Sequence, residues 1–317
     1  MKSLNEAESD TELRLAAALS AIDGMSPREV RFAEAVPGVM SPVHRAVDAD
    51  CRLVECDGEP LFAKVWWPDL FSARDPEAVY ATTEAVSSLG LTPRPRFVSA
   101  SVPAIVLDAL GDEWRAATVG DLRDSAVFDR LLAAKASIRE LPAFPIERDV
   151  FADVERLAGT APLLSAEEGA KCLEVARQAG QAIAASGVDR KPAHADGVAS
   201  NVFISDNGDL QLLDFDEAGN VDPLFDLALV LNETHFFDES VWLEALEREN
   251  GQATDGGLAR LKAYAFADDL RWALEGALMD ATSPRQGVEF LKYAQWRWLR
   301  CRLALSGWFT ESDLARL

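Results

Sequence analysis

The spacing of apolar residues changes character along this chain of 317 residues. After an opening helix predicted over residues 11–23, the stretch from Val30 to about Val106 reads as short strands broken by turns. Residues 45–51 and 51–56 alternate in part, Asp57-Gly58 is a turn, and 61–65 (Leu-Phe-Ala-Lys-Val) is a buried strand carrying one lysine, Lys64. A helix over 76–89 follows. Asp75 is its N-cap, Pro76 occupies the first turn and Gly90 ends it. Residues 96–99 and 104–108 add two strands. Beyond Thr118 the period becomes helical, over 122–139, 166–185, 225–232, 240–249, 258–279 and 286–306. This texture predicts an α+β chain with a small β-rich N-terminal lobe, 1–107, and a large, mainly helical C-terminal lobe, 108–317.

One stretch, 194–228, interrupts the helical part with polar residues at fixed intervals. Asp196 is followed by Asn201 and then Asp214. The apolar runs 202–204 and 210–213 flank Asn207-Gly208, a strong two-residue hairpin signal. A hairpin carries Asn201 at its start and Asp214 at its end back to one rim, beside Asp196. Three oxygen-bearing side chains at one point suit Mg²⁺ and a phosphate better than a packed core.

The sequence H-A-D-x4-N, then D-F-D, then A-G-x-x-D-P-x-x-D-L-A resembles the aminoglycoside phosphotransferase and choline kinase superfamily, the protein-kinase-like kinases of small molecules. Within it, the chain is most similar to choline and ethanolamine kinases. The resemblance implies the bilobal protein-kinase-like fold, with an antiparallel N-lobe sheet, and a reaction that uses ATP and Mg²⁺. It makes Asp196 the general base and Asn201 and Asp214 the metal ligands. Asp216 either adds a third carboxylate or faces solvent. Lys64 becomes the phosphate-contacting lysine, with Glu84 as its ionic partner and Glu77 as second choice. Asp108 and Leu110 flank the adenine in the linker between the lobes. His194 braces the loop, and Asp226 caps a helix and braces the loop. Two departures stand out. Ala195 replaces the family's glycine in H-G-D, and the phosphate-covering turn, 36–44, has one glycine and two prolines, leaving Ser41 as its candidate contact.

Composition narrows the acceptor. With 53 Asp and Glu against 31 Lys and Arg, the net charge is −22, which argues against sustained nucleic-acid binding and is compatible with a cationic substrate. No apolar run is long enough for a membrane span, and the acidic N-terminus lacks a signal-peptide core, so a cytoplasmic protein is expected. Four cysteines and three histidines fit neither a disulfide framework nor a zinc site. Similarity to the family's C-terminal helices nominates Glu233, Asp268, Trp272 and Trp296 as a cage for an ammonium group, with Asp269 as a further acid; tryptophans on amphipathic helices are equally at home in a core. Three functions follow: a kinase of a cationic amino alcohol such as choline or ethanolamine; a kinase of an aminoglycoside, sugar or thiamine-like molecule; and a nucleotide-binding pseudokinase or regulatory module. The oligomeric state is not legible in these residues.

Overall fold

The computed structural model describes residues 1–22, 30–36, 47–70 and 74–317; Ser41 and most of the phosphate-covering turn lie outside them. Six antiparallel strands form the first sheet: β1 (Lys2–Ser3), β2 (Val30–Val36), β3 (Ala49–Cys56), β4 (Glu59–Trp66), β5 (Pro95–Ser99) and β6 (Ala104–Asp108), in the order β1-β2-β3-β4-β6-β5. Asp57 and Gly58 both take positive φ, 52° and 84°, and turn β3 into β4. One face of this sheet packs on α1 (Asp10–Ser20) through Leu15, Ala18, Leu19, Phe32, Val54 and Val106. Helix α2 (Pro76–Ser87) crosses the other side. Asp75 caps it through the amides of Glu77 and Ala78, as the Asp-Pro pair predicts.

The remainder is largely helical: α3 (Val119–Leu122), α4 (Ser125–Arg139), α5 (Val150–Ala158), α6 (Ala166–Ser186), α7 (Pro223–Thr234), α8 (Glu239–Asn250), α9 (Asp255–Thr282), α10 (Phe290–Leu303) and α11 (Glu311–Leu314). Helix α9 is its axis, buried along most of its length. Short strands sit at the lobe junction. They are β7 (Trp114–Ala116), β8 (Lys191–Ala193), β9 (Val202–Ser205), β10 (Leu210–Leu212) and β11 (Gly219–Val221), ordered β10-β9-β7 and β11-β8. The β9–β10 hairpin pairs Leu212 with Val202 and turns at Gly208, φ 84°. The amide of Leu213 then donates to the Asn201 carbonyl at 2.8 Å, so the two ends of the hairpin meet as the sequence requires. Short strands β7, β8 and β11, and α11 carry too few residues for a periodic signal; helix α5 does carry one, with Val150, Val154 and Leu157 buried at i, i+4 and i+7, and lies outside the helices expected above.

Candidate active site

The loop after β8 places Asp196. Its carboxylate accepts from the Val198 amide at 2.7 Å and from the Asn201 side-chain amide at 2.6 Å. Asn201 therefore spends its nitrogen on Asp196 and keeps its oxygen for something else. Gly197 is required by packing: a Cβ there would meet the Leu229 backbone oxygen at 2.3 Å, because the loop lies directly on α7. Ala195 holds φ 52° and Asp214 holds φ 67°. The first is the position where the superfamily's glycine is missing, and the alanine adopts the left-handed backbone regardless.

Two buried brackets hold this loop. Asp226, fully buried in α7, accepts the Ala195 amide at 2.9 Å. Lys135 of α4, also buried, donates to Asp226 at 2.7 Å and to the backbone carbonyl of Asp196 at 3.1 Å. Asp226 braces the loop but does not cap its helix; Asp222 does, through the Leu224 amide. Nε2 of His194 lies 2.9 Å from the Leu213 carbonyl and 3.1 Å from that of Asp214. Burial lowers the His194 pKa, so the ring is neutral, donates, and ties one loop to the other.

Lys64 projects from β4 between two carboxylates, 2.6 Å from Asp214 and 2.8 Å from Asp216. Burial alone would lower its pKa, but these charges more than offset that and hold it above the ordinary lysine value. Glu84 is not its partner. Glu84 and Glu77 are both exposed on α2, and the helix turns Val79 and Thr83 to the lysine's cleft. The reason is registry: the buried stripe of α2 is Ala78, Val79, Thr82, Thr83 and Val86, and Glu84 falls beside it. Nor does Asp216 face solvent. Only 4% exposed, it takes Lys64 and the Trp66 indole N–H, at 2.6 Å, on one oxygen, and its other oxygen has no hydrogen bond.

Two cavities meet at Asn201, Asp214 and Asp216, which line both. The larger, about 310 Å³, lies between the lobes, walled by Leu53, Phe62, Ile105, Leu107 and Phe203, with Lys64 at one end. Asp108 and Leu110 border it. The Asp108 amide is taken by the Arg94 carbonyl and its side chain by Arg96, whereas among the described residues the Leu110 amide makes no hydrogen bond.

The smaller cavity, about 50 Å³, is lined by Asp196, Glu217, Glu233, Asp268, Arg271, Trp272 and Arg297, among others. Of the four residues expected to cage an ammonium, three are there. Trp296 is not: it is 43% exposed on the outer face of α10, one residue off the stripe that buries Tyr293 and Arg297. Asp269 is consumed by Arg297 and Arg300, at 2.8 and 2.9 Å. The sequence gives no warning of the guanidinium groups. Arg271 meets Glu217 at 3.2 Å, and Arg74 meets it at 2.7 Å. Burial would raise the Glu217 pKa, but Arg271, Arg74 and Arg148 hold it well below the carboxylate range. Lys135 did leave a signal: it sits in line with Phe128, Leu131 and Ile138 on the buried face of α4, where a lysine needs a partner.

A β-sheet lobe and a helical lobe, with a lysine strand facing an Asp–Asn–Asp rim across a cleft, define the class of kinase-like folds. A model of the phosphotransferase enzyme family (APH) matches residues 48–264. The chain belongs to this family, and is a small-molecule kinase with a hydroxyl acceptor. No curated protein matches it. Solved structures similar in fold include a choline/ethanolamine kinase family protein from Mesorhizobium loti (18% identity, 96% of this chain and 97% of that one, TM-score 0.72). The choline kinase LicA of Streptococcus pneumoniae, in complex with AMP, is 17% identical over 88% of this chain and 93% of that one, TM-score 0.69. A microcompartment-associated aminopropanol kinase is 16% identical over 93% and 96%, TM-score 0.62. Among the described residues no helix is long and apolar enough to cross a membrane.

Proposed function

We propose that this chain transfers the γ-phosphoryl group of ATP to the hydroxyl of a small cationic amino alcohol such as choline or ethanolamine. The observation that carries this reading is the junction: Asp196, Asn201 and Asp214 stand between a roomy apolar cleft that suits a nucleobase and a small cavity lined by acids. The N-terminal part, 1–107, would supply the nucleotide's walls and lysine, and 108–317 the catalytic loop and acceptor pocket. A cytoplasmic location accompanies the use of ATP.

The residues fit Mg²⁺. The uncommitted oxygen of Asn201, the carboxylate of Asp214, one-third exposed, and the unpartnered oxygen of Asp216 are hard donors at the cavity junction. When bound, Mg²⁺ supplies charge neutralisation to the phosphates. The chain's own part is distinct. Lys64 meets phosphate oxygens with a charge already fixed in place. Asp196, held at both oxygens, orients the acceptor hydroxyl and takes its proton as the oxygen bonds to the γ-phosphorus. The bond from phosphorus to the β-bridging oxygen breaks, and ADP leaves with that electron pair.

Asp196→Ala should lower kcat by about 10²–10⁴-fold with nucleotide affinity kept, measured by ADP release and by titration with a fluorescent nucleotide. Near-full turnover in this variant would remove Asp196 from the reaction. An aminoglycoside acceptor is the second reading, favoured by the acids of the pocket but opposed by its small volume. A pseudokinase is opposed by the presence of Lys64, Asp196, Asn201 and Asp214 together.

A further inference from the structure

We propose that the acceptor is a compact amino alcohol with a primary ammonium, whose N–H groups are met by Glu233 and by the oxygen of Asp268 that makes no hydrogen bond, and that quaternary ammonium alcohols are rejected. The inference rests on the amino-alcohol reading above and narrows it.

Size comes first. About 50 Å³ holds a few water-sized groups, which suits ethanolamine or aminopropanol better than a group with three N-methyls or an aminocyclitol ring. The aromatic surface is the second observation. A quaternary ammonium has no N–H and is held by open ring faces. The one ring lining this cavity among the described residues is Trp272, which is 8% exposed. Arg271 lies over it, with its guanidinium carbon 4.1 Å from the ring centroid, and Tyr293 meets it edge-on at 6.0 Å. The protein's own cation already occupies the place a trimethylammonium would take. Trp296, the other candidate, is on the outside.

The third observation concerns acceptors without donors. Asp268 is 3% exposed and lines the cavity, yet its Oδ1 has no hydrogen bond; Arg271 and Arg297 stand 3.5 Å away from its two oxygens. Glu233, half-buried in the same wall, makes no ion pair or hydrogen bond among the described residues. The neighbouring buried acids Asp269, Glu217 and Asp216 are each met by a guanidinium or ammonium at 3.2 Å or less, whereas the two guanidiniums that face Asp268 stand off at 3.5 Å. An ammonium with three donors completes Asp268 and Glu233. A trimethylammonium would bury the Glu233 carboxylate and Oδ1 of Asp268 against methyl groups and leave both without a hydrogen bond.

The test compares kcat/KM by ADP release for ethanolamine, its N-methyl, N,N-dimethyl and trimethyl (choline) derivatives, and aminopropanol. A stepwise fall with each methyl group, reaching about 100-fold or more at choline, is expected. Ethylamine should compete with the acceptor while tetramethylammonium does not. Glu233→Gln, at a half-buried position, should raise KM for ethanolamine with KM for ATP unchanged. Choline turned over as well as ethanolamine would overturn the inference and leave the amino-alcohol kinase standing. No turnover of any of the series, with phosphorylation of an aminoglycoside, would overturn both.

Discussion

The two cavities share three residues and little else. The cleft proposed for the nucleotide is six times the volume of the cavity proposed for the acceptor, about 310 against 50 Å³, and its walls are mostly apolar side chains, with a Leu110 amide that makes no hydrogen bond among the described residues. The acceptor cavity is a mesh of buried ion pairs, in which Arg74, Arg271 and Arg297 hold Glu217, Asp268 and Asp269 in place. An apolar cleft with main-chain recognition accepts a flat base whatever the exact side chains. A pocket made of matched charges is selective, because an acceptor must match what the mesh leaves unpaired.

If that contrast is right, the nucleotide side depends on one unusual feature, the Lys64–Asp216 pair locked by Trp66. Asp216→Asn should raise KM for ATP by about tenfold, the scale of a lost charge partner at a partly buried site, while Glu84→Ala should change it less than twofold, as for an exposed side chain. Kinetics with saturating acceptor would decide it. A large effect from Glu84 with none from Asp216 would return α2 to the conventional role and erase the distinction.

On the acceptor side the corresponding lever is pH. Burial raises the Asp268 carboxyl to about 6, against the partial compensation of Arg271 and Arg297; Asp269 and Glu217 add to the rise. The folded state therefore keeps this proton up to about pH 6, and the unfolded chain loses it near 4. On its own account, the group contributes stability below that window and loses it as pH climbs through 6. Binding runs the other way, since only the ionised carboxylate attracts an ammonium. KM for a primary amine should fall by up to about tenfold per pH unit from 5 toward 6 and flatten above it, with KM for ATP unaffected over that range. A flat acceptor KM in Asp268-containing protein would show that this acid never meets the substrate.

How much of this could be read beforehand follows the same division. The catalytic rim was legible because its residues are adjacent in sequence: a hairpin of eleven residues, Val202 to Leu212, fixes Asn201 against Asp214, and short-range turn chemistry specifies it. Lys64 was legible as a charge in an apolar strand. Its partner was not. Glu84 and Asp216 lie at comparable chemical plausibility, and the choice depends on which side of α2 turns inward, one residue in a 3.6-residue turn. Trp296 failed for the same reason, one position off the buried stripe of α10. Arg74, Arg271 and Arg297 were invisible because arginine is ordinarily a surface residue and nothing local reports that three of them will be buried opposite Glu217 and Asp268, from segments far apart in the chain.

The smallest effect concerns the loop that separates the cavities. Ala195 sits at φ 52°, where a residue with a Cβ costs roughly 1–2 kcal/mol relative to glycine. Its methyl group is 4% exposed and belongs to the main core, worth about 0.8 kcal/mol, and glycine adds about 0.4–1 kcal/mol of unfolded-state entropy. These terms nearly cancel, so Ala195→Gly should alter unfolding free energy by less than about 1 kcal/mol, read from urea denaturation, and leave kcat within twofold. The Asp226 and Lys135 bonds that hold this loop act on its backbone amide and carbonyl, which glycine retains. A loss of several-fold in kcat with unchanged stability would mean that the alanine methyl positions Asp196, and the loop would then belong to the selective side of the site, not to its shared wall.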